Sequence, residues 1–494
     1  MGWTTGEGSL NLLRCRIFGI RSHPIALFLG TRNRPMKGFV PTPAAIVDLM
    51  VDKLFRNRPP TPESSLLDPG CGEGEFIGGV IRWCSARGIT PPCIVGIEAD
   101  QHRADIAAAR FDGLKSIRIL TQDFLHATDL RFDYAIGNPP YVPITGLSIA
   151  EREDYRRRYA TATGRFDLYL LFFEQAIKLL KVGGRLVFIT PEKYLYVDTA
   201  RPLRNLLRRA RIDELHFLDE GTFGDLVTYP LVSTVTAAAP TGSTRVLLRS
   251  GASSEVLLDG GSSWLPSILG HSLPTSDFTL ADACVRVSCG VATGADSIFV
   301  VRNSDLTPAL APFAHPTISG RQISESRPLC TSSSMLVPYD ASGRLLPESR
   351  LSALGRFLIE PARRTKLLGR TCVAHKPWYA FHETPPMREV LRPKLLCKDI
   401  TPTPFFVVDR EGDIIPRHSA YYLVPLPSVD IDHLAHFVNS PASREWLRAH
   451  CQRAANGFLR LQSQVLKQLP IPPQLVPVQV VEARLAVGAQ AVPA

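Results

Sequence analysis

Phe132-Asp133-Tyr134-Ala135-Ile136-Gly137-Asn138-Pro139-Pro140-Tyr141 is the stretch that decides the fold. A short apolar run, readable as a buried strand, ends on an amide followed by two prolines. The strand must stop there, because proline supplies no N–H and fixes φ. The Asn138 side chain and the Pro139 carbonyl are thereby held side by side at its carboxyl tip, with the Tyr141 ring next to them. Open parallel α/β sheets place their ligands at that tip. Two acceptors and a ring face suit a planar exocyclic amino group, which has two N–H donors and a flat face to stack. A turn that only ends a strand is the ordinary alternative for Asn-Pro, so the surrounding pattern has to decide.

From residue 37 to 240 the pattern alternates strand-like and helix-like runs. Helices are expected over 44–54, 76–87, 104–110 and 166–180, and strands over 65–68, 94–98, 117–120, 132–137 and 185–191. Lys181-Val182-Gly183-Gly184 reads as a helix stop, with a cation in the last turn and glycine beyond it. Strands spaced by helices predict an α/β fold with a doubly wound, mostly parallel sheet. From 241 to 275 the pattern dissolves into Gly, Ser, Thr and Pro, which reads as a linker. Residues 276–478 form a second, α+β domain, and 479–494 a flexible tail.

The bulk numbers agree with a multidomain globular protein. The 494 residues suffice for two or three domains, and 45% hydrophobic with 21% charged residues is ordinary composition. No apolar run approaches the roughly 18 residues that span a membrane. The net charge of +10 favours a polyanionic partner. The ten cysteines show neither a CxxC pair nor zinc-ligand spacing; they read as reduced thiols of a cytoplasmic protein, and no metal site is expected. Residues 10–34 carry arginines and no acid. We read 1–36 as a dispensable extension, with Met36 as an alternative start.

Leu66-Leu67-Asp68-Pro69-Gly70-Cys71-Gly72-Glu73-Gly74-Glu75-Phe76 is a strand, a glycine turn and a helix start. Its spacing is neither the GxGxxG dinucleotide fingerprint nor a P-loop. Glu98 ends the next strand, where a carboxylate can accept both hydroxyls of a ribose. Asp123-Phe124 ends the third, where an acid can take an adenine amino proton and a ring can stack on the base. Taken singly, Glu98 reads equally well as a surface acid and Asp123 as a helix N-cap. Taken together and in this order, glycine turn, ribose acid and adenine clamp describe a pocket for S-adenosyl-L-methionine.

These motifs resemble those of TaqI-like adenine-N6 DNA methyltransferases, the gamma class, in which the cofactor motifs precede the catalytic motif and a target-recognition domain comes last. Gly38-Phe39-Val40-Pro41-Thr42-Pro43 is similar to the family's amino-terminal motif, so Phe39, Thr42 and Pro43 are implied at the methionine side of the cofactor. Asp68, Pro69, Gly70 and Gly72 match its glycine motif, Glu98, Asp123 and Phe124 its ribose and adenine positions, and Asn138, Pro139, Pro140 and Tyr141 its catalytic motif. Phe223 matches more loosely an aromatic near the end of the catalytic domain, with Tyr229 as a rival. Gly290 to Val300, Arg392-Pro393-Lys394, Phe437 to Pro441 and Leu469 to Pro472 resemble segments of the specificity domain.

The resemblance implies a seven-stranded-type methyltransferase sheet, double-stranded DNA as partner, and a flipped-out adenine as methyl acceptor. It also implies a separately encoded restriction endonuclease as a further partner, and a monomer is the simplest arrangement. Tyr155 to Tyr159 and the basic, aromatic stretch from Arg363 to Tyr379 are candidate phosphate contacts, with solvated faces as the alternative. Two rival readings stay open: the same Asn-Pro-Pro-Tyr motif acting on RNA or on a protein glutamine, and a catalytically silent DNA-binding relative.

Overall fold

The computed structural model describes residues 40–128, 130–224, 229–258, 263–270, 276–454 and 457–489. They divide after Trp264 into two units.

The first unit is built on Ser65–Pro69 (β1), Cys93–Glu98 (β2), Ile117–Thr121 (β3), Phe132–Gly137 (β4), Leu180–Pro191 (β5), Arg211–Phe217 (β6), Pro230–Thr236 (β7), Ser243–Leu247 (β8) and Ser253–Leu257 (β9). Among the described residues these form one nine-stranded sheet in the order β3-β2-β1-β4-β5-β7-β6-β8-β9. β1 pairs in parallel with β2 on one side and β4 on the other, Leu66 lying opposite both Ile94 and Tyr134. The strand order reverses at that point. Its carboxyl ends are therefore a topological switch point, where an α/β sheet opens a ligand crevice. β7 runs antiparallel to both β5 and β6.

Helices Ala44–Phe55 (α1), Glu75–Ser85 (α2), Gln101–Arg110 (α3), Ile149–Arg158 (α4), Leu168–Leu179 (α5) and Arg201–Leu207 (α6) complete the unit. α1 opens directly after Pro43 and buries Val47, Met50, Val51 and Leu54, the spacing of one helical face. It meets α2 at Gly79, where a Cβ would stand 2.4 Å from Val47 Cγ1. α5 is buried along most of its length, which is why its sequence is almost continuously apolar.

Two expectations change here. The glycine pair does not separate helix from strand: β5 begins at Leu180, immediately after α5. Gly183 has φ +77°, and a Cβ on Gly184 would lie 3.0 Å from the Phe132 carbonyl. The two glycines thus form an irregularity in β5, where its register with β4 shifts. The stretch read as linker also contributes structure. β8 and β9 extend the sheet beyond seven strands, burying Thr244, Val246 and Val256 while Ser243, Arg245, Ser253, Ser254 and Glu255 are exposed. So few apolar positions leave little alternation to read.

The second unit holds an antiparallel sheet in the spatial order Cys284–Cys289, Ala420–Pro425, Lys394–Lys398, Phe406–Asp409. A second sheet runs Val300–Arg302, Ser333–Leu336, Ala314–Ile318, Ile415–Pro416. Ile400–Thr401, Leu459–Arg460 and Gln452–Arg453 form a short ribbon. Short helices lie between these strands along the chain. The expected flexible tail instead holds a helix, Val478–Ala489. Arg484 ties it down, donating to Asp282 Oδ1 at 2.8 Å, and Val480 and Val481 pack on the unit's core.

Candidate active site

The carboxyl ends of β1 to β4 border a cavity of about 890 Å³, within the roughly 300–1,000 Å³ range of small-molecule pockets. Thr42, Gly70, Glu98, Asp123, Phe124, Asn138 and Pro140 all line it. Seven positions expected to act together, drawn from segments far apart in sequence, therefore do meet.

The turn after β1 passes under this cavity because Gly70, Gly72 and Gly74 all have positive φ, at 72°, 55° and 86°, which other residues rarely adopt. A Cβ on Gly70 would approach Phe172 Cε1 at 3.5 Å and Pro140 Cδ at 3.9 Å. Glu98, 4% exposed, braces the turn: Oε2 accepts from Gly72 N at 2.9 Å and Oε1 from Asp100 N at 2.9 Å. Asp123 caps the turn Phe124–His126, its Oδ1 accepting from Leu125 N at 2.9 Å. The capping reading of Asp123 is thus observed, in a residue that also faces the cavity.

Asn138 stands at the tip of β4. Its Nδ2 donates to Val40 O and to Thr42 Oγ1, both at 3.1 Å. Those bonds set the amide's orientation, and they leave Oδ1 buried with no hydrogen-bond partner. The loop that follows is clamped to the start of α5: Pro143 and Asp167 form an antiparallel bridge, Leu168 N donates to Val142 O at 2.9 Å, and Ile144 N to Phe166 O at 3.0 Å.

Asp68 lies behind the glycine turn, fully buried, with neither carboxylate oxygen partnered. Burial, and then the negative charge of Glu98, push its carboxyl well above the usual carboxylate range. An acid whose pKa rises on folding stabilises only while protonated. Its contribution is intact below about pH 3.9, the ordinary aspartate value, and is lost as pH rises from there through the raised pKa. Asp68→Asn removes that loss. At neutral pH the ligand-free variant should be more stable than the parent by about 1–3 kcal/mol, with the gap closing toward pH 4. Thermal denaturation of both proteins across that range checks this, and a gap that does not grow with pH would refute it.

Other expected residues stand elsewhere. Pro43, Pro69, Gly72 and Pro139 adjoin the wall in the chain without forming part of it. The Tyr141 ring is half-buried, its hydroxyl 3.4 Å from Ile189 O and its ring edge-on to Tyr169 at 6.3 Å. Phe223 packs against the core containing Leu218 and Val232 rather than in the cavity wall. Phe39 lies outside the described residues. The basic stretch of the second unit is largely spent on internal bonds: Arg370 donates to Leu367 O, Thr293 O and Trp378 O, Lys376 to His382 O, and Trp378 Nε1 to Glu348. Near the cavity, Arg157 and Arg158 pair with Asp154.

Sequence reasoning missed Phe172 and Leu168, and it placed Tyr155 among candidate phosphate contacts; all three line the cavity. Phe172 packs on Phe124 with ring centroids 5.0 Å apart. It comes from a helix buried along most of its length, so nothing in its spacing marks it as a wall residue rather than core.

Residues 94–223 match the Eco57I restriction-modification methylase family. Over 88% of this chain and 86% of the relative, the sequence is 27% identical to the type II methyltransferase M.PaeR7I of Pseudomonas aeruginosa. M.XhoI of Xanthomonas vasicola is 24% identical over 88% of this chain and 91% of its own. The type IIL restriction-modification enzyme MmeI, solved in complex with DNA, aligns with 88% of this chain and 63% of its own at TM-score 0.58 and 13% identity, a likeness of fold. The matched segment contains Glu98, Asp123 and the Asn138 tip of the cavity: residues 94–223 are similar to a restriction-modification methylase family, and the chain is similar along most of its length to type II methyltransferases.

Proposed function

We propose that this chain is a site-specific DNA methyltransferase that transfers a methyl group from S-adenosyl-L-methionine to N6 of an adenine flipped out of double-stranded DNA. It serves as the modification part of a restriction-modification system, acting as a monomer beside a separately encoded endonuclease. The observation that carries this reading is Asn138, whose amide nitrogen is held by Val40 and Thr42 while its buried oxygen has no donor. An unsatisfied buried acceptor is costly, and a substrate N–H would satisfy it.

The cavity fits the cofactor in size and in donor set. Glu98 Oε1 accepts from Asp100 N and, at 3.4 Å, from Arg103 Nη2, while Oε2 accepts from Gly72 N alone and keeps acceptor capacity for a ribose hydroxyl. Asp123 takes the adenine amino group, Phe124 and Phe172 enclose the ring, and Thr42 holds the methionine side. Asp68, Pro69, Gly70 and Gly72 form the turn beneath. The bound cofactor supplies an electrophilic methyl group on a sulfonium.

The chain's own part is to prepare the nucleophile. An adenine N6 lone pair is delocalised into the ring. Asn138 Oδ1 and the Pro139 carbonyl accept its two hydrogens, which favours a tetrahedral nitrogen and stabilises the positive charge developing there. Pro139 and Pro140 keep both acceptors rigid, and rigid alignment of nucleophile with methyl group can contribute up to about 7–11 kcal/mol. The base leaves the duplex to reach this site, and Tyr141 stacks on it, worth about 1–3 kcal/mol per base.

Single-molecule sequencing of DNA from a methylation-free host tests the reading. Expression of the parent should yield N6-methyladenine confined to one short motif, absent with Asn138→Ala. Unmodified DNA from a host with soluble protein would overturn it and turn attention to RNA or protein acceptors.

A further inference from the structure

α4 is polar almost all round, with Tyr155 its buried residue. Such a helix does not hold its place by burying an apolar face, so its attachment rests on individual bonds. They converge on the turn after β3. The Tyr155 hydroxyl donates to Asp123 Oδ2 at 3.0 Å. The His126 ring stands between two carboxylates, Nδ1 2.8 Å from Asp123 Oδ2 and Nε2 2.9 Å from Asp154 Oδ2. Both partners are carboxylates, so a ring N–H on either side finds an acceptor. On the far side Arg158 Nε donates to the same Asp154 oxygen at 2.9 Å, and Arg157 to the other at 3.3 Å. Just beyond the helix, the Tyr159 hydroxyl donates to Leu125 O.

The inner side of the same segment is cavity wall. Leu147, Ser148, Glu151 and Tyr155 all line the cavity. The helix therefore borders the cavity, and the bridge from Asp123 through His126 to Asp154 fastens it to the turn after β3 together with the Tyr155 and Tyr159 hydroxyl bonds.

We propose that His126 and Asp154 are positioning residues: they latch α4 over the Asp123 side of the cavity and so set how tightly and for how long the cofactor is retained. This rests on the cofactor reading above. Neither residue lines the cavity, so neither need touch the reacting atoms. Asp154→Ala releases the helix while leaving the His126–Asp123 contact in place, and His126→Ala breaks both links. His126→Gln keeps one side's donors and should fall between parent and Ala.

The test measures S-adenosyl-L-methionine dissociation from the full chain by stopped flow, steady-state kinetics, and hydrogen exchange without ligand. Asp154→Ala and His126→Ala should each speed dissociation and raise the cofactor KM by about tenfold, the worth of one charge-assisted hydrogen bond. The kcat at saturating cofactor should stay within about twofold, because a uniform binding term leaves kcat unchanged. Amides of residues 149–158 should exchange faster in the ligand-free variants, with the rest of the unit unchanged. Unaltered dissociation and exchange in Asp154→Ala, or a fall in kcat with KM intact, overturns the latch alone. A parent chain that binds no S-adenosyl-L-methionine overturns the cofactor reading and the latch with it.

Discussion

Asn138→Ala should lower kcat for DNA methylation by about a hundred- to a thousandfold, the scale seen when one preorganised hydrogen-bonding group is removed from a site of developing charge. The loss should fall on kcat, because the acceptor strengthens its grip only as the amino nitrogen becomes tetrahedral and positive. The same amide also holds Val40 O and Thr42 Oγ1, so the variant loosens the segment before α1. Cofactor affinity should therefore weaken, but only by a few-fold, the worth of about one ordinary hydrogen bond. Asn138→Asp separates the two jobs. It keeps acceptors toward the substrate yet turns one toward Val40 O in place of a donor, so it should lose more cofactor affinity than Asn138→Ala while retaining more kcat. Single-turnover kinetics with equilibrium cofactor binding read both quantities. An Asn138→Ala enzyme keeping more than about a tenth of the parent kcat would remove this residue from the chemical step.

Lys394→Met should destabilise the second unit by about 3–5 kcal/mol. Lys394 is fully buried, its Nζ 2.5 Å from Asp409 Oδ2. Asp409, 3% exposed, uses its remaining capacity on the turn that follows, accepting from Gly412 N at 3.1 Å and Ile414 N at 3.3 Å. Burial pulls the Lys394 ammonium below its ordinary pKa, and the Asp409 carboxylate opposes that pull. Methionine fills the space of the lysine stem but leaves a buried carboxylate without its counter-ion. Lys394→Met/Asp409→Leu removes both charges and should recover most of the loss, although two turn amides lose their acceptor. Denaturant unfolding of the single and double variants decides the matter: a single variant as stable as the parent would show that the pair holds nothing together. Lys394 drew notice as part of a segment resembling a DNA-specificity domain, and its position in the structure is that of a framework residue.

The features legible in the sequence share a physical cause. Glycines at 70, 72 and 74, acids at the ends of β2 and β3, and Asn138 before two prolines each impose their geometry locally. A strand that must end, or a turn that needs positive φ, is marked by the residues that make it. The order of those motifs along an alternating α/β pattern is enough to bring them to one edge of a parallel sheet, because right-handed crossovers leave few other arrangements. Hence Thr42, Gly70, Glu98, Asp123, Phe124 and Asn138 surround one cavity.

Tertiary structure alone decided what depends on partners distant in sequence. Whether Gly183-Gly184 stops a helix or bulges a strand depends on Phe132 and its neighbours in β4 lying against it. Whether residues 243–257 are linker or sheet depends on an open edge at β6 for β8 to join. The arginines and lysines of 363–379 look free in sequence, yet several are taken up by carbonyls of their own unit. The same holds for the cover of the site: Phe172 and Tyr155 reach the cavity only because α5 and α4 pack where they do. Local backbone chemistry, written residue by residue, determined the floor of this site and its strand tips; the walls and the latch arise from long-range packing and pairing, whose partners no short stretch of sequence names.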